Sequence, residues 1–260
     1  MNRVLILFVT LLSVILFNSC LGSGSGSGKS GGQGSGAETL YIGYYTEVDD
    51  PNDPTLGVLY MFLPDNDTSF IGKFFFSYAG CDGFYDIGNL NGNKTAATFS
   101  GKWDGNVDGL NIAGDFSGAY DAASFSYKGN WQKDGGYKVT SCHTIAGDGE
   151  FAIYQVGKGA INVSTDNAVQ KPTISWSNDN NFSTLQIDVY DKACLAANET
   201  FSDCHMWETY ASSGTTSGSV QYGQLGGNVP AKALVSGKEY VITVISIRAE
   251  EMGSVSFVAP

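Results

Sequence analysis

Cysteine and histidine have the widest chemical reach of any residues in this chain, and they stand side by side twice. Cys142-His143 and Cys204-His205 are adjacent pairs, and they contain both histidines of the sequence. Two thiolates and two imidazoles are a zinc-type donor set, but the two pairs fall in different halves of the chain. Apart from Cys20, the cysteines Cys81, Cys142, Cys194 and Cys204 form an even set. In an oxidising compartment such a set reads as two disulfides. Three connectivities are open, and the division into two folded units argued below favours Cys81–Cys142 and Cys194–Cys204. The expectation is two disulfides, no metal and no cofactor.

Carboxylates offer a second chemistry. Asp104-Gly-Asn106-Val-Asp108-Gly109, followed by Asp115, fits the spacing of a calcium loop. An EF-hand needs helices on both sides, whereas these flanks alternate with a period of two, and a β-hairpin accounts for the same residues. The acidic stretch Glu47–Asp53 (Glu47, Asp49, Asp50, Asn52, Asp53) is a looser candidate. Both read as solvated loops, and calcium at either stays open from sequence. The 26 acidic residues allow many glycosidase-like pairs, and nothing selects one. The sequence shows no nucleophile elbow, P-loop or HExxH helix. The chain is therefore expected not to be an enzyme, with an envelope hydrolase as the remote alternative. Among aromatic residues, Trp207 and Tyr210 lie beside the small Cys194–Cys204 loop and are the better sugar platforms. Trp103, Phe116 and Trp131 are expected to be core.

The elements that must position these residues are strands. Thirty-four glycines, six prolines and 13% aromatic residues point to many short strands and turns. Asp191–Asn198 is the most helix-like stretch, and it is short. From Phe99 to Trp131 every second residue along each strand is aromatic, aliphatic or glycine, and the residues between are polar apart from Ala113 and Ala119. This is the alternation of half-buried antiparallel strands. Asp108-Gly109 as a two-residue loop sets Val107 opposite Leu110, Gly105 opposite Ile112, Trp103 opposite Gly114, Gly101 opposite Phe116 and Phe99 opposite Gly118. Closing the next hairpin at Asp121–Ser124 sets Tyr120 opposite Phe125, Gly118 opposite Tyr127, Phe116 opposite Gly129 and Gly114 opposite Trp131. Large residues mostly face glycines, which fills volume evenly across the strands. Further strands at Leu40–Tyr45, Gly57–Leu63, Phe70–Tyr78, Phe84–Leu90, Tyr137–Cys142 and Phe151–Val156 bring the total to about nine, the content of an antiparallel meander or small up-and-down barrel over 38–158. Its texture is similar to avidin-type or lipocalin-type barrels, in style alone.

Residues 160–260 read as a sandwich, with strands at Pro172–Ser177, Leu185–Tyr190, Met206–Tyr210, Val220–Tyr222, Lys238–Ile247 and Ser254–Val258. The run Leu234-Val-Ser-Gly237-Lys-Glu-Tyr240 resembles the turn before the sixth strand of fibronectin type III modules, with Ser236 in place of the usual proline. Trp176 matches the second-strand tryptophan of that family. The resemblance implies an Ig-like Greek-key sandwich and a tyrosine corner at Tyr240, and it implies no activity.

The start of the chain addresses location. Arg3 precedes an apolar run from Val4 to Phe17, then Asn18-Ser19-Cys20-Leu21, then a Gly/Ser tract from Gly22 to Gly36. The run is shorter than the roughly 20 residues of a bilayer span and has the form of an export signal over 1–19. Ser19-Cys20 resembles the lipobox of bacterial lipoproteins, although Phe17 and Asn18 depart from the usual residues there. The resemblance implies cleavage before Cys20 and lipid on its sulfur and new amine. Residues 20–37 would then be the lipidated cysteine and a flexible tether with a reach of about 20 Å. A net charge of −12 argues against nucleic acid and anionic membrane surfaces as partners. The Asn-x-Ser/Thr sites at Asn66, Asn93, Asn162, Asn181 and Asn198 would stay bare in a bacterium. The reading is a lipid-anchored envelope protein, at the outer membrane, cell surface or periplasmic side. It would serve as a binding, adhesion or structural module with a protein or glycan partner. The alternative is a barrel that holds a small molecule or glycan.

Overall fold

The computed structural model describes residues 38–46, 56–65, 68–77, 85–107, 109–136, 138–139, 144–145, 147–166, 170–179, 184–197, 201–212, 216–227, 229–246 and 251–260. Cys20, Cys81, Cys142, His143 and the acidic loop Glu47–Asp53 lie outside them, so the lipid site, the first disulfide and that calcium candidate do too.

The described elements are almost all strands. They run β1 (Glu38–Thr46), β2 (Leu56–Pro64), β3 (Ser69–Ser77), β4 (Tyr85–Lys94), β5 (Thr98–Val107), β6 (Leu110–Asp121), β7 (Ser126–Lys133), β8 (Lys138–Val139), β9 (Thr144–Ile145) and β10 (Asp148–Gln155). The second half holds β11 (Asn162–Thr165), β12 (Thr173–Ser177), β13 (Thr184–Asp191), the helical turns α1 (Lys192–Ala196) and α2 (Phe201–Cys204), β14 (His205–Ser212), β15 (Ser217–Gln221), β16 (Glu239–Ser246) and β17 (Glu251–Val258).

Strands β1 to β7 pair in sequence order, and β10 closes the sheet between β7 and β1 into an eight-stranded antiparallel barrel. The β8–β9 ribbon is an insertion before the closing strand. Large residues face glycine across most strand pairs; in β4–β5 and β6–β7 glycine faces glycine and large faces large. Tyr45 pairs with Gly57, Met61 with Gly72, Phe74 with Gly88, Trp103 with Gly114 and Phe151 with Gly129. In these pairs the large side chain lies over a bare backbone, which suits the narrow interior of an eight-stranded barrel. Phe70 and Phe99 stack at 4.5 Å, and Trp103 and Trp131 meet edge to face at 5.8 Å.

The first hairpin has the expected register throughout, from Val107–Leu110 to Phe99–Gly118. The second is displaced by two residues: Tyr120 faces Tyr127, Gly118 faces Gly129, Phe116 faces Trp131 and Gly114 faces Lys133. An even displacement keeps every side chain on its expected face. Its cause is the loop. Asp121 accepts hydrogen bonds from Ala123 N–H and the Ser124 hydroxyl, which turns the chain at Ala122 and carries Phe125 out of the strand. Phe125 ends at φ 51°, 40% exposed.

The C-terminal half is a sandwich-like pair of sheets, with three strands in the order β11-β12-β15 and four in the order β14-β13-β16-β17. Between them lie Trp176, Ile187, Trp207, Tyr222, Tyr240 and Ile242. The expected helical stretch is α1, capped by Asp191, which accepts from Ala193 N–H and Cys194 N–H. Tyr240 is fully buried, and its hydroxyl accepts from Val235 N–H at 2.9 Å. Tyr240→Phe removes that acceptor and leaves a backbone donor to be satisfied by solvent. The expected loss is about 0.5–1.5 kcal/mol in urea unfolding.

The barrel and the two sheets belong to one compact unit. Strand β1 is apolar on both faces. Tyr41 and Tyr45 point into the barrel, while Leu40, Ile42 and Tyr44 join a second core with Tyr60, Ala152 and Tyr154 from the barrel and Tyr190, Val241, Ile245 and Met252 from the outer face of the four-stranded sheet. Beside this junction the segment that follows β10 bonds to β17, with Gly157 N–H donating to the Ser254 hydroxyl and Ala160 and Ile161 N–H donating to Met252 O.

Candidate functional site

Three places were open to chemistry: the barrel interior, the disulfide loop, and the polar residues between barrel and sheet. The interior is lined by Tyr45, Leu59, Met61, Phe74, Trp103, Trp131 and other apolar side chains, and they leave a cavity of about 40 Å³. Pockets that hold drug-sized ligands measure roughly 300–1,000 Å³, so the barrel is a filled core. At one end, Tyr41 packs edge-on against Tyr127 at 5.6 Å. Burial, with Tyr127 and Tyr120 alongside, pushes the Tyr41 hydroxyl up to about 12. The outer face of β5–β7 is polar: Lys102 pairs with Asp115 at 2.6 Å, Asn89 donates to Asp104 and Asn106 donates to Asn111. Apolar inside and polar outside is the reverse of a membrane-spanning barrel. The same contacts bear on the calcium-like run. Asp104, Asn106 and Asp115 lie on this hairpin face and bond to neighbouring strands.

Cys194 and Cys204 form a disulfide, which closes the short loop carrying α1 and α2. That bond takes the Cys204 thiol out of any two-cysteine, two-histidine metal set. Leu195 and Cys204 are buried in the junction core, and the Tyr60 hydroxyl donates to Leu195 O at 3.3 Å, so the loop rests against the outside of the barrel. Trp207 is not a platform. It is 1% exposed inside the sandwich, packs edge-on against Tyr222 and donates from Nε1 to Leu225 O. Tyr210 is 40% exposed. Trp103, Phe116 and Trp131 are core, as their alternation predicts.

The third place was not anticipated. Asp188, His205 and Glu208 stand together on the outer face of the four-stranded sheet, at 0%, 2% and 3% exposure. Asp188 pairs with Glu208 across β13 and β14, and Tyr190 pairs with His205. A bulge at Val189–Tyr190 lets Met206 stand out of register. It puts His205 and Glu208, three residues apart, on one face. Their ligating atoms all lie within 4.8 Å of one another. His205 Nε2 is 3.0 Å from Asp188 Oδ1, and the Gln186 amide donates to both Asp188 oxygens at 3.3 and 3.1 Å. The Tyr190 ring stacks on the imidazole at 4.8 Å.

No protein-family model, no curated protein and no solved structure matches the chain.

Proposed function

We propose that this chain is a lipid-anchored protein of the bacterial cell envelope, held at a membrane through Cys20, and that it acts as a non-catalytic binding, adhesion or structural module. The observation that carries the reading is the order of the first segments: an apolar run to Phe17, Ser19-Cys20, then the Gly/Ser-rich sequence Gly22–Gly36 ahead of the first described strand. One acyl chain alone holds a protein weakly, and the two or more that a lipobox cysteine receives make a stable anchor. The filled barrel favours contact through the outer surface over capture of a small molecule inside.

The C-terminal sheets support a fibronectin type III-like module. Their three-plus-four strand arrangement, Trp176 on the second strand and the Tyr240 hydroxyl bonded back to Val235 N–H all agree with it. Modules of this type serve spacing and adhesion as readily as ligand binding.

The test is Cys20→Ser in the native host. The wild-type chain is expected in the detergent phase of a membrane extract, with a mature N-terminal peptide that begins at Cys20 and carries acyl mass. The variant is expected in the aqueous phase. Wild-type protein that is soluble and lacks acyl mass would overturn the anchor. Crosslinking on intact cells, beside a glycan array with the purified chain, would then separate a protein partner from a sugar.

A further inference from the structure

We propose that Asp188, His205 and Glu208 form a structural divalent-metal site of zinc type, sealed between the barrel and the four-stranded sheet. Two carboxylates, if ionised, outweigh a single imidazole in charge, and all three residues are buried beside an apolar junction. Buried charges are held by pairing or by coordinating a metal. One imidazole with two carboxylates is a donor set that zinc accepts. Bonds of roughly 2.0–2.1 Å at tetrahedral angles place neighbouring ligand atoms about 3.3 Å apart. The 3.0 Å from His205 Nε2 to Asp188 Oδ1 is already close to that. Calcium and magnesium ask for six or more oxygens, and three side chains in a closed junction do not supply them.

Thr243 supplies a second, independent observation. It is fully buried, it lies directly opposite Asp188 in the β13–β16 register, and it therefore points to the same face. Its hydroxyl has no hydrogen-bond partner among the described residues. A fourth oxygen at this position, or a water that it holds, would complete a four-coordinate site. Gln186 fits the outer shell, because its amide fixes the Asp188 carboxylate from the side. The metal would tie β13, β14 and β16 together on the face that docks the barrel, and it would enter as the chain folds.

The competing arrangement is a shared proton between the two carboxylates, and the experiment separates them. The full chain is purified, stripped with a chelator and titrated with Zn²⁺ alone by calorimetry and thermal unfolding, then with Co²⁺ by absorption. The expected result is one equivalent per chain, a Tm higher by several degrees at saturation, and Co²⁺ visible bands without the near-ultraviolet band of thiolate ligation. Glu208→Gln, close to isosteric, is expected to weaken Zn²⁺ binding at least about tenfold. The Co²⁺ spectrum of the wild-type chain tests the site even if that variant folds poorly. A folded wild-type chain that binds neither ion, a thiolate band, or unchanged Zn²⁺ affinity in Glu208→Gln would overturn the proposal.

Discussion

Gly114→Val is expected to cost at least about 3 kcal/mol and to leave little folded barrel at 37 °C, given typical total stabilities of about 5–15 kcal/mol. Gly114 lies in the middle of β6 and pairs with Trp103 on β5. A Cβ at this position would collide with the Gln132 carbonyl oxygen and come within 2.7 Å of the Trp103 indole. The first obstacle is backbone in the neighbouring strand and cannot rotate away. The second is a ring held edge-on by Phe74 and Trp131 at 5.6 and 5.8 Å. Valine has good strand propensity, so a loss here measures lack of space and not local preference. Ser117→Val on the exposed face of the same strand is the control, expected to stay within about 0.5 kcal/mol. Urea unfolding followed by tryptophan fluorescence reads both. Equal stability of the two variants would refute the pairing of Trp103 with Gly114.

That pairing was legible because three constraints agree in one stretch: a period of two, a loop that accepts φ > 0 at Gly109, and a large residue opposite each glycine. The second hairpin had only the first: large residues do not face glycines there, since Gly118 faces Gly129 and Phe116 faces Trp131. Its turn depends on Asp121 side-chain bonds and on a phenylalanine in the left-handed region, and neither leaves a mark in sequence. The faces were still right, because alternation fixes parity while the turn alone fixes register.

The junction was hidden for a related reason. Leu40–Tyr45 and Val241–Ile245 are apolar at every parity except Gly43 and Thr243, the pattern of strands buried on both faces. The pattern marks double burial but does not say what covers the second face, so the sequence showed two folded units without the core between them. The polar cluster was concealed further by its bulge. His205 and Glu208 are an odd number apart, which places them on opposite faces of a regular strand, and only the extra residue Met206 brings them together. The preference of Cys194 for Cys204 followed from the division into two folded units, and that bond is formed. The adjacency of Cys204 to His205, which invited a mixed metal set, comes instead from a helix end running straight into a strand.

Ile245→Asp tests whether the two halves stabilise one another. Ile245 is 2% exposed and lies on the face of β16 that meets Leu40, Ile42, Tyr44 and Tyr154. Aspartate is smaller than isoleucine, so the variant adds a cavity term as well as a charge without a partner. The carboxylate can escape by taking a proton, by opening the junction to water, or by both, and each route weakens docking. The wild-type chain is expected to unfold in one calorimetric transition, because the barrel and the sheet share a core and lose it together. In the variant the transition is expected to split, with the two halves melting separately and the first about 6–12 °C lower, the shift of a loss near 3 kcal/mol in a chain of this size. Restored docking at low pH would identify the carboxylate charge, since protonation removes the cost of burying it while the cavity remains. A wild-type chain that already melts in two steps, or a variant with an unchanged profile, would mean that the shared core contributes contact without stability, and that the barrel and the sandwich are separate bodies held by their connecting strand.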